Sequence, residues 1–148
     1  MRVYHEYGSK QRLFEMMGRV NNLNEGILEK KRKEYIINEF VDYANNHLGL
    51  EKEKPNVIVS YDANEAANMR SFGKYTPATG EIRVVATNRN LADVLRTLAH
   101  EMVHFKQHLE DRLEINSNDD GSEIENEANA TAAIIMRKFG RDNPIIFE

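Results

Sequence analysis

The chain has 148 residues, 41% of them hydrophobic and 30% charged, with a formal net charge of −4 and neither cysteine nor tryptophan. That length suits one domain with one core and excludes the two-lobed architectures of large enzymes. The missing cysteine excludes disulfide scaffolds, thiolate zinc fingers and cysteine nucleophiles, so any metal must be held by histidine, carboxylate or backbone oxygen. The mild acidity weighs against broad nucleic-acid binding, which goes with a basic excess.

No stretch approaches the roughly 18 uninterrupted apolar residues of a membrane span. Met1–Glu6 lacks an apolar segment and carries an early acid, so a secretory signal is not expected. A cytoplasmic protein is the default expectation. Nothing in the sequence specifies an oligomeric state.

Residues 1–8 read as irregular. Ser9 can cap a short helix carrying Leu13, Phe14, Met17 and Val20, which Asn21, Asn22 and Asn24 interrupt. A longer helix is predicted from about Glu25 to Leu48. Its apolar positions Ile36, Ile37, Phe40, Val41, Ala44 and Leu48 keep the 3.6 period, and Gly49 stops it. Its first half holds the charge run Glu29-Lys30-Lys31-Arg32-Lys33-Glu34, read as a solvated face with a nucleic-acid patch as the other possibility.

Beyond Pro55 the pattern changes to strand. Val57-Ile58-Val59 is β-branched and bounded by turn formers. Residues 62–71 fit a loop or a short helix. Phe72–Tyr75, the turn Thr76-Pro77-Ala78-Thr79-Gly80 and Glu81–Val85 form a predicted β-hairpin. Asn88 or Asn90 then opens a helix to about Leu109, with a core stripe of Leu91, Val94, Leu95, Leu98, Met102, Phe105 and Leu109. Residues 116–122 are a polar break, and a last helix runs from Glu123 to Phe139. Its predicted core stripe is Ile124, Ala128, Thr131, Ile135 and Phe139. The sum is α+β, with an N-terminal appendage over 1–24, a domain over 25–140 and a C-terminal tail over 141–148.

Chemistry enters with His100-Glu101-Met102-Val103-His104. Histidines four apart lie about 40° apart around a helix and roughly 6 Å along it, so both imidazoles can reach one ion. Glu101 is turned about 100° from His100, badly aimed for ligation and well placed as a base beside the ion. A catalytic zinc with two histidines needs a third protein ligand and an open position. His108 continues the series but lies roughly 12 Å of helix rise beyond His100, outside a shared coordination sphere. Glu125 on the last helix is the better candidate, beside a surface kept flat by Ala128 and Ala132. Ser122-x-x-Glu125 also fits a capping box, and Glu123 and Glu127 compete for the ligand role.

His100-Glu101-x-x-His104 followed by Glu125-x-x-Ala128-Asn129 resembles the gluzincin metallopeptidases, and in so short a chain is similar to the ImmA/IrrE-like peptidases and the minimal gluzincins. The resemblance covers roughly residues 57–139. It departs from the ImmA/IrrE-like pattern at Ala130-Thr131-Ala132, where Phe-Ala often follows the Ala-Asn pair, and residues 1–50 match no known pattern. It implies a single zincin-like domain, its small twisted sheet packed on the active-site helix and on a following glutamate-bearing helix. One Zn2+ would be held by His100, His104 and Glu125, with Glu101 the general base and acid of peptide hydrolysis. Asn129 would orient a ligand histidine. Phe72, Gly73, Lys74 and Tyr75 would form a sheet edge that binds extended peptide, with Gly73 leaving the backbone accessible, unless the segment is an ordinary hairpin with a glycine bulge. Tyr61, Tyr75 and His108 are possible oxyanion donors among which sequence does not choose.

The expected partner is therefore a protein or peptide substrate, with no membrane. A different class of reading is a non-catalytic or latent zincin scaffold that regulates protein partners, against which Glu101 argues because a structural site needs no base. A DNA-associated protease similar to the SprT-like proteins is disfavoured by the net charge and the glutamate third ligand. The apolar tail Ile145-Ile146-Phe147 could fold over the cleft as a pro-segment.

Overall fold

The computed structural model describes residues 3–7, 24–112 and 122–148. The predicted helix opening at Ser9 and most of the polar break at 116–122 lie outside these residues. Four strands form one sheet: β1 (Val3–Glu6), β2 (Asn56–Ser60), β3 (Gly73–Thr76) and β4 (Glu81–Val85). The helices are α1 (Asn24–His47), α2 (Ala63–Met69), α3 (Leu91–Leu109) and α4 (Glu123–Asp142), and Pro144–Phe147 forms a closing 3₁₀ turn. The architecture is α+β. No helix among the described residues is long and apolar enough to cross a membrane.

The sheet order is β1-β2-β4-β3. β1 runs parallel to β2 and β2 parallel to β4, while β3 closes the edge as an antiparallel hairpin with β4. Residues 1–8, expected to be irregular, thus supply a strand. Val3-Tyr4-His5-Glu6 alternates too weakly in hydrophobicity to announce itself, and its place is set by the parallel ladder with Val57–Ser60. α1 is the crossover that parallel strands require. The segment at 62–71 resolves into the short helix α2, capped by the Asp62 side chain accepting from the Asn64 N–H.

Register decides what each face carries. Val57, Val59, Ile82 and Val84 point inward and are fully buried, each contributing about 1.5–3 kcal/mol of apolar burial. Arg83, between Ile82 and Val84, points to the opposite face with Tyr4, Ile58 and Lys74 as its cross-strand row. The inner face is covered by α1 and α3, and α4 packs along α3. All six predicted core positions are buried, five on α1 and Leu48 just past its end, and Gly49 follows in the left-handed conformation at φ 70°. On α3 the predicted stripe holds except at its ends, where Leu91 is half-buried and Leu109 exposed. α4 runs three residues past Phe139 and centres its stripe on Ala132 and Met136, leaving Thr131 and Ile124 half-buried.

The tail does not cover the predicted cleft. Ile146 enters the core, Phe147 lies against Gly140, and Ile145 sits near Leu91 in the first turn of α3. His100 is nine residues further on, about 14 Å along the helix.

Candidate metal centre

α3 presents His100 and His104 one turn apart on the side that meets α4. Their rings are nearly perpendicular, with centroids 4.7 Å apart and Nε2 atoms 3.1 Å apart. Glu125, in the first turn of α4, reaches across with Oε1 at 2.7 Å from His100 Nε2 and Oε2 at 3.1 Å from His104 Nε2. Ala128 and Ala132, both buried, allow the helices to approach closely enough for this. The capping alternative is partly realised, because Ser122 Oγ accepts the Glu125 N–H at 3.1 Å. Capping uses the backbone of Glu125 and leaves its carboxylate for the histidines. The competing carboxylates lie elsewhere: Glu127 pairs with Arg112 and accepts from Gln107 Nε2, and Glu123 is exposed.

The donor set fits a zinc ion. Two imidazole nitrogens and a carboxylate are the ligands of hydrolytic zinc sites. Bonds of about 2.0–2.1 Å in a tetrahedron put donors about 3.3 Å apart, close to the 2.7–3.1 Å separations of this trio. All three ligand atoms lie within 4.8 Å of one another.

Protonation is arranged to match. His104, buried at 5% exposure, has its Nδ1 2.8 Å from Gln107 Oε1. Gln107 is itself oriented, since its amide nitrogen donates to the Ile124 carbonyl at 3.1 Å, so its oxygen must face the ring. The imidazole therefore donates from Nδ1, the tautomer that in the neutral ring leaves the lone pair on Nε2, the atom that faces Glu125. Gln107 was not singled out by the sequence. The available signal is its place three residues after His104 on the same helical face. His100 has a lowered pKa, through burial and then the charge of His104, with Glu125 and Asn129 acting in the opposite sense. A lowered value favours the neutral ring, the form that binds metal. Asn129 hydrogen-bonds the His100 side chain.

Glu101 stands apart from the trio and close to it. Burial raises its carboxyl to about 7, with His104 lowering and Glu125 raising the value. A Cβ built on Gly73 of β3 would come within 2.5 Å of Thr97 Cγ2 and 3.5 Å of Glu101 Oε1. Glycine is thus required at 73 by the close approach of β3 to α3. Gly73 itself is buried, and Ser71 Oγ engages its N–H at 3.3 Å and its carbonyl at 2.8 Å, so the expected accessible backbone is not at this residue. No protein-family model, curated protein or solved structure matches the chain.

The remaining predicted residues separate. The edge strand spans Gly73–Thr76, with Phe72 just outside it, exposed beneath the Arg89 guanidinium. The Val85 N–H donates to the Phe72 carbonyl, so by antiparallel alternation Tyr75 turns its backbone N–H and C=O away from β4. Lys74 is exposed. The Tyr75 ring packs edge-on against Phe105 and its hydroxyl lies 2.7 Å from His108 Nδ1. Of the three suggested oxyanion donors, Tyr75 and His108 form one pair, whereas Tyr61 is held by His5 and stacks on Tyr7.

Proposed function

We propose that this chain is a zinc-dependent peptidase of the gluzincin kind. The observation that carries the reading is the convergence of His100 Nε2, His104 Nε2 and both Glu125 oxygens within 2.7–3.1 Å, beside a second, half-buried carboxylate that belongs to none of these bonds. A structural site would need the trio alone; Glu101 supplies what hydrolysis adds. Zinc bound by the trio would acidify water and polarise a peptide carbonyl.

The chain's own residues would do the rest. Glu101, with its carboxyl raised to about 7, has the proton affinity of a general base working near neutral pH. It takes a proton from the attacking water and returns it to the leaving amine. An extended peptide would add to the sheet edge through the outward backbone groups of Tyr75, and at Gly73 would compete with the Ser71 hydroxyl. Tyr75 belongs to the same edge and its hydroxyl lies 2.7 Å from Nδ1 of His108, one turn beyond His104, so the pair adds a hydroxyl and an imidazole beside that strand.

Metal analysis and a peptidase assay on wild type, Glu125→Ala and Glu101→Ala test this. Wild type is expected to hold about one zinc per chain, the number set by a single three-ligand site. Glu125→Ala should bind zinc at least about a hundredfold more weakly. Glu101→Ala should keep its zinc and lose turnover by at least about a thousandfold. Full zinc occupancy in Glu125→Ala would refute the ligand assignment, and undiminished turnover in Glu101→Ala would refute the mechanism.

A further inference from the structure

The charge run of α1 belongs to no part of the metal centre, yet it lines a cavity. At the carboxyl ends of the parallel strands β2 and β4 lies a space of about 430 Å³. Its wall includes Lys30 and Lys33 from α1, Tyr61 just after β2, and Arg89 after β4. Although the whole chain carries a net charge of −4, no carboxylate is among the described residues that line this space. A neighbouring cavity of about 500 Å³ shares Lys33 and Arg89 and adds Arg32 together with the acids Glu29 and Glu148. Positive charge is thus concentrated in the inner cavity.

Two of these cations, Lys33 and Arg89, form no ion pair among the described residues. Arg83 and Arg112 are each bonded to carboxylates. Arg89, in contrast, donates only to neutral oxygens: the Val85 carbonyl at 3.1 Å, the Asp93 carbonyl at 3.3 Å and Thr97 Oγ1 at 2.8 Å. Those bonds fix the guanidinium in place against the Phe72 ring, 4.3 Å away, and the Asp93 carboxylate acts on it only as a nearby charge, without an ion-pair contact. Lys33 has no ion-pair partner among the described residues. Glu34, the next residue on its helix, accepts from the Tyr7 hydroxyl, and Glu29, one turn before Lys33, makes no ion pair with it. Ile37, Val94 and Tyr61 add an apolar portion to the same lining.

Three features converge on one ligand class. Clefts of about 300–1,000 Å³ hold small molecules, and open α/β sheets bind them beyond the carboxyl ends of their strands. A pre-fixed arginine with a lysine beside it matches the geometry and charge of a phosphate group. We propose that this cavity binds a small phosphorylated molecule, with Lys33 and Arg89 on the phosphate and the Ile37, Val94 and Tyr61 wall against its organic part. The site is separate from the metal centre and does not depend on the peptidase reading.

AMP, adenosine and a single-stranded oligonucleotide are suitable probes, titrated into the full chain both with zinc and after EDTA treatment. Amide shifts in nuclear magnetic resonance locate binding, and calorimetry measures it. AMP should bind saturably in both forms, shift the amides of residues 86–91 and around Lys33, and bind at least about tenfold more tightly than adenosine. Lys33→Glu, a half-buried position on a well-packed helix, should weaken AMP at least about tenfold while leaving the melting temperature unchanged. Arg89→Lys provides a second variant that keeps charge and loses the fork, and should also weaken AMP. The proposal is overturned if AMP fails to bind at millimolar concentration, if it binds no better than adenosine, or if its shifts centre on His100–Glu125. Equal affinity in Lys33→Glu, or tighter binding of the oligonucleotide per phosphate than of AMP, would overturn it too.

Discussion

The molecule carries two clusters of glutamates, one on each side of its sheet, and they are balanced in opposite ways. On the outer face Arg83 sits among Glu6 at 2.9 Å, Glu65 at 2.7 Å and Glu81 at 3.5 Å. That cluster contains its own permanent cation. On the side where α3 meets α4, Glu125 and Glu101 share a site with two imidazoles, of which burial favours the neutral form of His100, and no lysine or arginine figures among the charges acting on Glu101 or His100. The first cluster is complete as a piece of structure. The second holds the donor set of a divalent cation, at a cost in stability that a functional site can justify.

The largest difference between them should be visible as pH-dependent stability of the EDTA-treated protein. The unfolded chain releases the Glu101 proton near 4.5, whereas the folded chain retains it to about 7. Between those values the folded state binds more protons, so stability falls as pH rises through the window and levels off above it. The full penalty is about 3 kcal/mol. Glu101→Gln escapes it. Urea unfolding in EDTA should find this variant more stable than wild type by about that amount at pH 8, with the gap closing toward pH 4.5. A gap of equal size at both ends would mean that packing, and not the buried charge, separates the two proteins.

Next in size is the residue that sets the histidine's tautomer. Gln107→Leu keeps volume and removes the oxygen facing His104 Nδ1, leaving a buried N–H without its acceptor. Zinc affinity should fall about tenfold to a hundredfold, as for loss of other groups that orient metal-ligating histidines. Competition with a chelating dye measures it. Gln107→Glu keeps an acceptor and should retain most of the affinity; equal loss in both variants would assign Gln107 to packing alone.

Gln107 also shows where sequence reading stops. His100, His104 and Glu101 were legible because their relation is local: one helix, fixed spacing, a period that needs no tertiary knowledge. Glu125 was legible through the helix that bears it and the small residues beside it, although its capping role was equally visible and turned out to coexist with the bonds to histidine. Gln107 reads as one more polar residue on a helix. Its importance comes from the Ile124 carbonyl, 17 residues away, which turns the amide around. β1 was missed for the same reason, since Val3–Glu6 is a strand only because Val57–Ser60 lies beside it. The charge run of α1, read as a solvated face, became a cavity wall once Tyr61 and Arg89 were brought under it. Long helices and the β3–β4 hairpin followed from period and turn chemistry; what escaped was whatever depended on a distant partner.

Arg83 tests the other side of the comparison and should give the smallest effect. Arg83→Met keeps most of the side-chain length and removes the cation, leaving Glu6, Glu65 and Glu81 close together. Because the arginine is 27% exposed and Glu6 47%, water takes up part of the repulsion. The loss should be about 1 kcal/mol at neutral pH and low salt, shrinking as added salt screens the three carboxylates. Zinc affinity should not change, since the cluster lies across the sheet from His100 and His104 and shares no residue with them. Unfolding at two salt concentrations and the dye competition used for Gln107 measure both quantities. If Arg83→Met weakened zinc as Gln107→Leu should, the sheet would be transmitting strain between its faces and the two clusters could not be treated as independent.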